Sequence, residues 1–223
     1  MTTEKLIEER KRIGTWGQLN PARLDVIRNY AFPKTLDAGC STGEYVRWML
    51  SQGYDAYGYD LLQSESWESE AMDRFSTGDL QKTHFKDEEF DTVISFEVLE
   101  HVDDVGKVLS ELKRITRKNV ILSVPDAELY PIFKDSGLTF HHWVDRTHQH
   151  FFSAKDLRRI LHEHGFETQF LGRINPVYPE VMLCENLRIP SVVSKVLKRI
   201  LWALPFRKKY FMTLIVVASK RHS

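Results

Sequence analysis

Apolar positions change period repeatedly along the chain, and the changes mark out its elements. Short apolar-rich runs at 35–38, 56–59, 91–96 and 120–124 predict strands, the second closed by Asp60 and the last stopped by Pro125. Between them, 44–51 reads as a helix, and Val105, Val108, Leu109, Leu112 and Ile115 recur at helical spacing. The stretch 61–75 holds no clear period and reads as partly helical. Ser153-Ala-Lys-Asp156 matches a capping box, opening a helix that runs through Leu157, Ile160 and Leu161 to Gly165. Residues 166–171 predict a strand. The run 211–218 is continuously apolar and rich in β-branched residues, as a buried strand requires. Ahead of all this, Leu6, Ile7 and Ile13 mark one helix. Asn20 followed by Pro21 caps a second, with Leu24 and Ile27 on its buried face, and Phe32-Pro33 breaks the chain.

Strands alternating with helices imply an α/β fold: a mostly parallel sheet with helices on both faces. The expected organisation is a helical cap over 1–33, a main domain over 34–223, and an insertion over about 175–209 that a minimal sheet does not need. In that insertion Asn175-Pro-Val-Tyr-Pro179 reads as irregular. The helix 191–204 carries Val192, Val193, Val196, Leu197, Ile200, Leu201 and Leu204 on one side, with Lys195, Lys198 and Arg199 opposite. Arg207-Lys-Lys209 follows. Packing on its own domain is the default for such a helix. An acceptor lid, a dimer contact, or a peripheral contact of 191–209 with an anionic membrane surface are the alternatives.

Length and composition narrow the classes. The 223 residues suit one α/β domain with a sizeable core. Lys+Arg and Asp+Glu are equal at 31 each, which argues against a nonspecific nucleic-acid binder. Cys40 and Cys184 are too few for a disulfide framework. The charged N-terminus lacks a signal-peptide core, and no apolar run is long enough to span a bilayer. The expected location is the cytoplasm, with the basic helix allowing attachment to the inner face of a membrane.

Ligands of parallel α/β sheets bind beyond the carboxyl ends of the strands. Asp37-Ala38-Gly39-Cys40-Ser41-Thr42-Gly43-Glu44 stands at the first such end, where Gly39 and Gly43 allow a sharp turn and close backbone approach. Asp60 ends the second strand, where a carboxylate can accept both hydroxyls of a ribose. Gly39-x-x-x-Gly43 is not G-x-G-x-x-G, which argues against an NAD-dependent oxidoreductase.

Residues 36–44 resemble the first motif of the class I S-adenosylmethionine (SAM)-dependent methyltransferases. Gly58-Tyr59-Asp60, Gly78-Asp79-Leu80 and the run 90–103 resemble their later motifs, in the same order. The resemblance spans about 36–218 and implies a Rossmann-like seven-stranded sheet whose last strand, 211–218, is antiparallel. It implies SAM as cofactor, contacted by Asp37, Gly39, Cys40, Ser41, Gly43, Asp60, Leu61, Asp79, Leu80, Phe96 and Glu97. Cys40 reads as a small packing residue whose backbone meets the cofactor. Trp16 and Tyr30 are candidate lid contacts.

Two polar segments should lie at the same sheet end: Glu97-Val-Leu-Glu100-His101, and the run from His141-His142 through Asp145 to His148-Gln-His150. Carboxylates with neutral imidazoles suit a divalent metal. This pattern resembles a subgroup that includes ubiquinone-biosynthesis O-methyltransferases and small-RNA 3′-end 2′-O-methyltransferases. That resemblance implies Glu97, Glu100, His101 and His148 as ligands of Mg, Mn or Zn at the acceptor hydroxyl. In other members of the superfamily Glu97 and His101 would only line the cofactor site. Without metal, His148 and then His101 are the candidates for general base. His150 should point away from His148. The acceptor expected is an oxygen on a small molecule, a saccharide or a lipid-linked compound, with RNA second. A noncatalytic SAM-binding partner subunit is the competing class, and the intact motif argues against it.

Overall fold

The computed structural model describes residues 19–68, 72–128, 147–178, 190–204 and 210–221. The helix expected around Leu6, Ile7 and Ile13 lies outside these residues, as do Trp16, His141, His142 and Asp145.

Helix α1 (Pro21–Tyr30) leads into β1 (Lys34–Ala38), α2 (Glu44–Ser51) and β2 (Asp55–Asp60). After two short 3-10 turns come β3 (Phe75–Thr77), β4 (Phe90–Phe96), α3 (Val105–Ile115) and β5 (Thr116–Pro125). Then follow α4 (Ala154–Glu163), β6 (Phe166–Val177), α5 (Ser191–Ala203) and β7 (Tyr210–Lys220). The seven strands form one sheet in the order β3-β2-β1-β4-β5-β7-β6. The β1 to β5 pairings are parallel, and β7 runs antiparallel to both β5 and β6.

Side-chain alternation along the central strands supplies two cores. Val93, Leu122 and Val216 face α3 and α4, meeting Leu109, Leu112, Leu157 and Leu161. Their neighbours Ile94, Ile121 and Val217 face α1 and α2, meeting Ile27, Val46 and Met49. Caps fix where the helices start. The Asn20 side chain accepts from the N–H groups of Ala22 and Arg23, and Asp104 from that of Lys107. Ser153 and Asp156 form the expected capping box.

Several boundaries differ from the sequence reading. β5 starts at Thr116, with no loop after α3, because strands on both sides pair with it. Pro125 closes β5 without needing an N–H and is still in register with Thr213. β6 runs on through Asn175, Pro176 and Val177, which read as irregular, because β7 pairs alongside as far as Tyr210. Asn175 takes up the local distortion in a left-handed conformation (φ 58°), which Asn tolerates. The three-residue edge strand β3 lies at the end of the stretch with no clear period. The apolar side expected of α5 splits: Leu197, Leu201 and Leu204 are half-buried, whereas Val192, Val193, Val196 and Ile200 are exposed.

α1 lies along the sheet with its first turn at the carboxyl ends of the strands. Tyr30 is at the opposite end: it stacks on Phe170, and its carbonyl accepts from Asn119. Tyr30 is therefore no lid over the site; an aromatic residue at the foot of an amphipathic helix has packed on the sheet instead. No helix among the described residues is long and apolar enough to cross a membrane.

Candidate functional site

The turn after β1 is fixed from several sides. Gly39 (φ 89°) and Gly43 (φ 81°) are left-handed, and a Cβ on Gly39 would stand 2.3 Å from Val98 Cγ2. The N–H groups of Gly39 and Cys40 both donate to the Tyr59 carbonyl at the end of β2. Asp60 is buried, and its two oxygens accept from the backbone N–H groups of Ser41 (2.8 Å) and Leu62 (3.2 Å). Trp67, stacked on Phe75, donates its indole N–H to the Ser41 carbonyl. Ser41 itself is left-handed without being glycine (φ 48°), a cost the surrounding bonds sustain.

Asp37 lies beneath this turn, fully buried. Burial first, then the Asp60 charge, push its carboxyl up to about 8, against the opposing pull of the Arg23 guanidinium. Asp37 Oδ2 has no hydrogen-bond partner among the described residues. Cys40 is buried, as a packing residue would be, and Leu80 belongs to the core. Leu61 and Asp79 are exposed at the ends of β2 and β3, where the Asp79 carboxylate accepts from the Gln81 N–H.

Phe96 and Glu97 close β4. Glu97 is left-handed (φ 55°), its N–H donating to the Ser123 carbonyl. Arg23, from the first turn of α1, reaches Glu97 Oε1 at 2.5 Å and lies over the Phe96 ring. The Ser123 hydroxyl donates to the same oxygen at 2.9 Å.

Beyond this pair a second cluster forms. One carboxylate oxygen of Glu100 and one ring nitrogen each of His101 and His148 lie within 4.8 Å of one another. The Glu100 side chain is buried and the two imidazoles half-buried. Most bonds joining the segment 147–150 to 100–103 have a main-chain atom on at least one side. The N–H groups of Gln149 and His150 donate to the Glu100 carbonyl. The Gln149 amide donates to the His101 carbonyl, and His150 Nε2 to that of Val102. His150 thus points away from His148, as its alternation in the sequence requires. His101 Nδ1 stands 3.3 Å from the Thr147 carbonyl and 3.0 Å from its hydroxyl. The carbonyl can only accept but the hydroxyl can also donate, so Thr147 holds the ring at Nδ1 in either tautomer and leaves Nε2 turned toward Glu100. That Nε2 lies 4.0 Å from Glu100 Oε1.

The fold therefore gathers the predicted residues at one end of the sheet, in two groups. Glu97 joins Arg23 and Ser123, apart from Glu100, His101 and His148. Arg23, Ser123 and Thr147 carried no signal in the sequence. Only the cap at Asn20, which starts α1 three residues before Arg23, could have placed that arginine on a first turn.

Comparison with known proteins agrees with this geometry. A family described as a methyltransferase domain matches residues 3–169. A malonyl-[acyl-carrier protein] O-methyltransferase of Pectobacterium atrosepticum is 30% identical over 93 residues, 40% of this chain and 37% of that protein. An O-methyltransferase of Aspergillus nomiae is 27% identical over 162 residues, covering 66% of this chain and 68% of its own length. The chain thus spans little more than a third of the first relative. In fold, it matches a SAM-dependent methyltransferase from Archaeoglobus fulgidus with a TM-score of 0.66, at 19% identity over 98% of this chain and 100% of that one. With the family matching most of its length, the chain belongs to the methyltransferase-domain family, the class I S-adenosylmethionine-dependent methyltransferases.

Proposed function

We propose that this chain transfers the methyl group of SAM to an oxygen of a small-molecule, saccharide or lipid-linked acceptor. The observation that carries the choice of oxygen is the Glu100–His101–His148 cluster beside the β4 turn. A hydroxyl must lose its proton as it is methylated, and this cluster offers groups to take it. Both relatives named above are O-methyltransferases, which favours the same reading.

SAM brings a methyl group already activated on a sulfonium, so the protein's task is largely to position it against the acceptor. The donor set fits such a molecule. Asp60, fixed by the Ser41 and Leu62 N–H groups, is a carboxylate of the kind that accepts ribose hydroxyls. Leu61 and Asp79 would hold the base, and Gly39, Cys40, Ser41 and Gly43 would offer backbone to the cofactor. Leu80 would act through its main chain. Arg23 Nε is buried with no hydrogen-bond partner among the described residues, a donor suited to the methionine carboxylate. Asp37, Phe96 and Glu97 form the floor and the far wall.

On the acceptor side, His148 receives the hydroxyl proton. His101, held by Thr147, orients the acceptor through its Nε2. One carboxylate oxygen with two imidazole nitrogens also fits a divalent cation, which Glu100, His101 and His148 would hold. An ion there would supply Lewis-acid lowering of the hydroxyl pKa. Glu97, paired with Arg23, stands outside that set.

The test is label transfer from methyl-labelled SAM into fractionated extract, with and without chelator. Base-labile or ether-linked label in small-molecule, saccharide or lipid fractions is expected. Label confined to amines or to carbon would refute the oxygen assignment, and loss of turnover with chelator would select the metal form.

A further inference from the structure

Five of the ten exposed large apolar side chains among the described residues sit on α5. They are Val192 (69% exposed), Val193 (49%), Val196 (52%), Ile200 (53%) and Trp202 (45%). The other five, Phe32, Leu61, Met72, Phe151 and Phe170, come singly from separate parts of the sequence. At helical spacing α5 divides into three sectors. Ser194, Leu197 and Leu201 turn inward, with Ser194 buried. Val192, Val196, Ile200 and Ala203, with Val193 at the margin, form a continuous outward apolar stripe. Lys195, Lys198, Arg199 and Trp202 flank it along one side, all exposed. The helix contains no acidic residue. In sequence, 187–209 holds Arg188, Lys195, Lys198, Arg199, Arg207, Lys208 and Lys209 and no Asp or Glu, in a chain whose 31 cations and 31 anions balance only as a whole.

We infer that α5 docks on an anionic lipid bilayer, lying parallel to its surface. The apolar stripe enters the acyl boundary, the flanking cations meet the phosphates, and Trp202 sits at the interface between them. Charge decides against the other occupants. A second copy of this helix would set cation against cation, and a phosphate polymer would leave the valines and Ile200 in water. Position adds a consequence. α5 is carried between Val177 of β6 and Tyr210 of β7, at the end of the sheet where β5 pairs Pro125 with Thr213. That is the end bearing the turns after β1 and β4, so docking brings the acceptor side toward the membrane.

The experiment sediments the full chain with vesicles of phosphatidylcholine alone, or of phosphatidylcholine mixed with phosphatidylglycerol. Binding to the mixed vesicles only, weakening as salt rises, is expected. Val196→Asp/Ile200→Asp should lower the partition coefficient more than about tenfold. Lys195→Ser/Lys198→Ser/Arg199→Ser should abolish the preference for the anionic vesicles. Both variants should bind S-adenosylhomocysteine as the parent does, which shows the fold intact and keeps this test separate from the methyl-transfer reading. Equal sedimentation with both vesicle types, sedimentation with neither, or undiminished binding by the double aspartate variant would overturn the inference. So would a dimer in vesicle-free solution that Ile200→Asp disperses, since the stripe would then belong to a second copy.

Discussion

The turn after β1 and the turn after β4 touch through Gly39 and Val98, yet they are held by different means. The first is contiguous in sequence. Its two glycines, its buried Asp60 and its bonds to the Tyr59 carbonyl lie within about one βαβ unit. The second is assembled from distant pieces: Arg23 from α1, Ser123 from β5, and Thr147 to His150 from a segment 46 or more positions along the chain. Contiguity gives a rigid cradle that tolerates few side chains. Assembly from a distance gives a polar cluster whose members can change without unmaking the cradle.

Substitutions can separate the two. The largest effect is expected from His148→Ala, which should lower turnover by about 10²–10⁴-fold while S-adenosylhomocysteine affinity, read by calorimetry, stays as in the parent. Equal loss of both would dissolve the distinction. Gly39→Ala should do the reverse, abolishing donor binding. The Val98 clash and the left-handed backbone should cost about 2–4 kcal/mol in denaturant unfolding. Arg23→Met crosses the boundary. Removing the guanidinium from a mostly buried pair should cost about 1–3 kcal/mol, and a double-mutant cycle with Glu97→Gln should show coupling.

Asp37 gives a graded effect, confined to one pH window, and the clearest sign. Its carboxyl is raised from 3.8 to about 8 by burial, so between those values the folded state holds a proton the unfolded state has released. Its contribution to stability is present below about pH 4 and is lost as pH rises toward 8, at no more than about 1.4 kcal/mol per pH unit. Asp37→Asn should remove that slope, so the variant gains on the parent as pH rises through this window. Parallel curves of unfolding midpoint against pH would show Asp37 to be already ionised.

The same contrast explains what could be read from the sequence. The strand ends, the Gly39–Gly43 turn, Asp60 and the capping box at Ser153 are local, and local spacing revealed them. Glu100, His101 and His148 were legible as residue types, and their meeting follows once both segments are placed at one sheet end. The partners that fix them were not legible. Thr147 acts partly through a carbonyl that any residue would carry and is one hydroxyl among many, and Arg23 is one cation among many until α1 is laid on the sheet. β6 past Leu171 was hidden because its continuation depends on β7, whose pairing overrides Pro176. Whether anything covers the outward stripe of α5 was not legible, because periodicity shows that a helix has an apolar side and not what lies against it.

The joining of 147–150 to 100–103 has an evolutionary reach. Two of its bonds run between main-chain atoms, three more have a main-chain carbonyl on one side, and the Ala127 N–H donates to the Phe152 carbonyl close to where the same span begins and ends. Mutation cannot remove a peptide group by changing its side chain. The residues flanking the stretch 129–146 are therefore joined in part by contacts that selection need not guard. Lineages can rewrite it, lengthen it or exchange it for a new acceptor while His148 stays beside His101, so that diversification of substrate is decoupled from preservation of the chemistry.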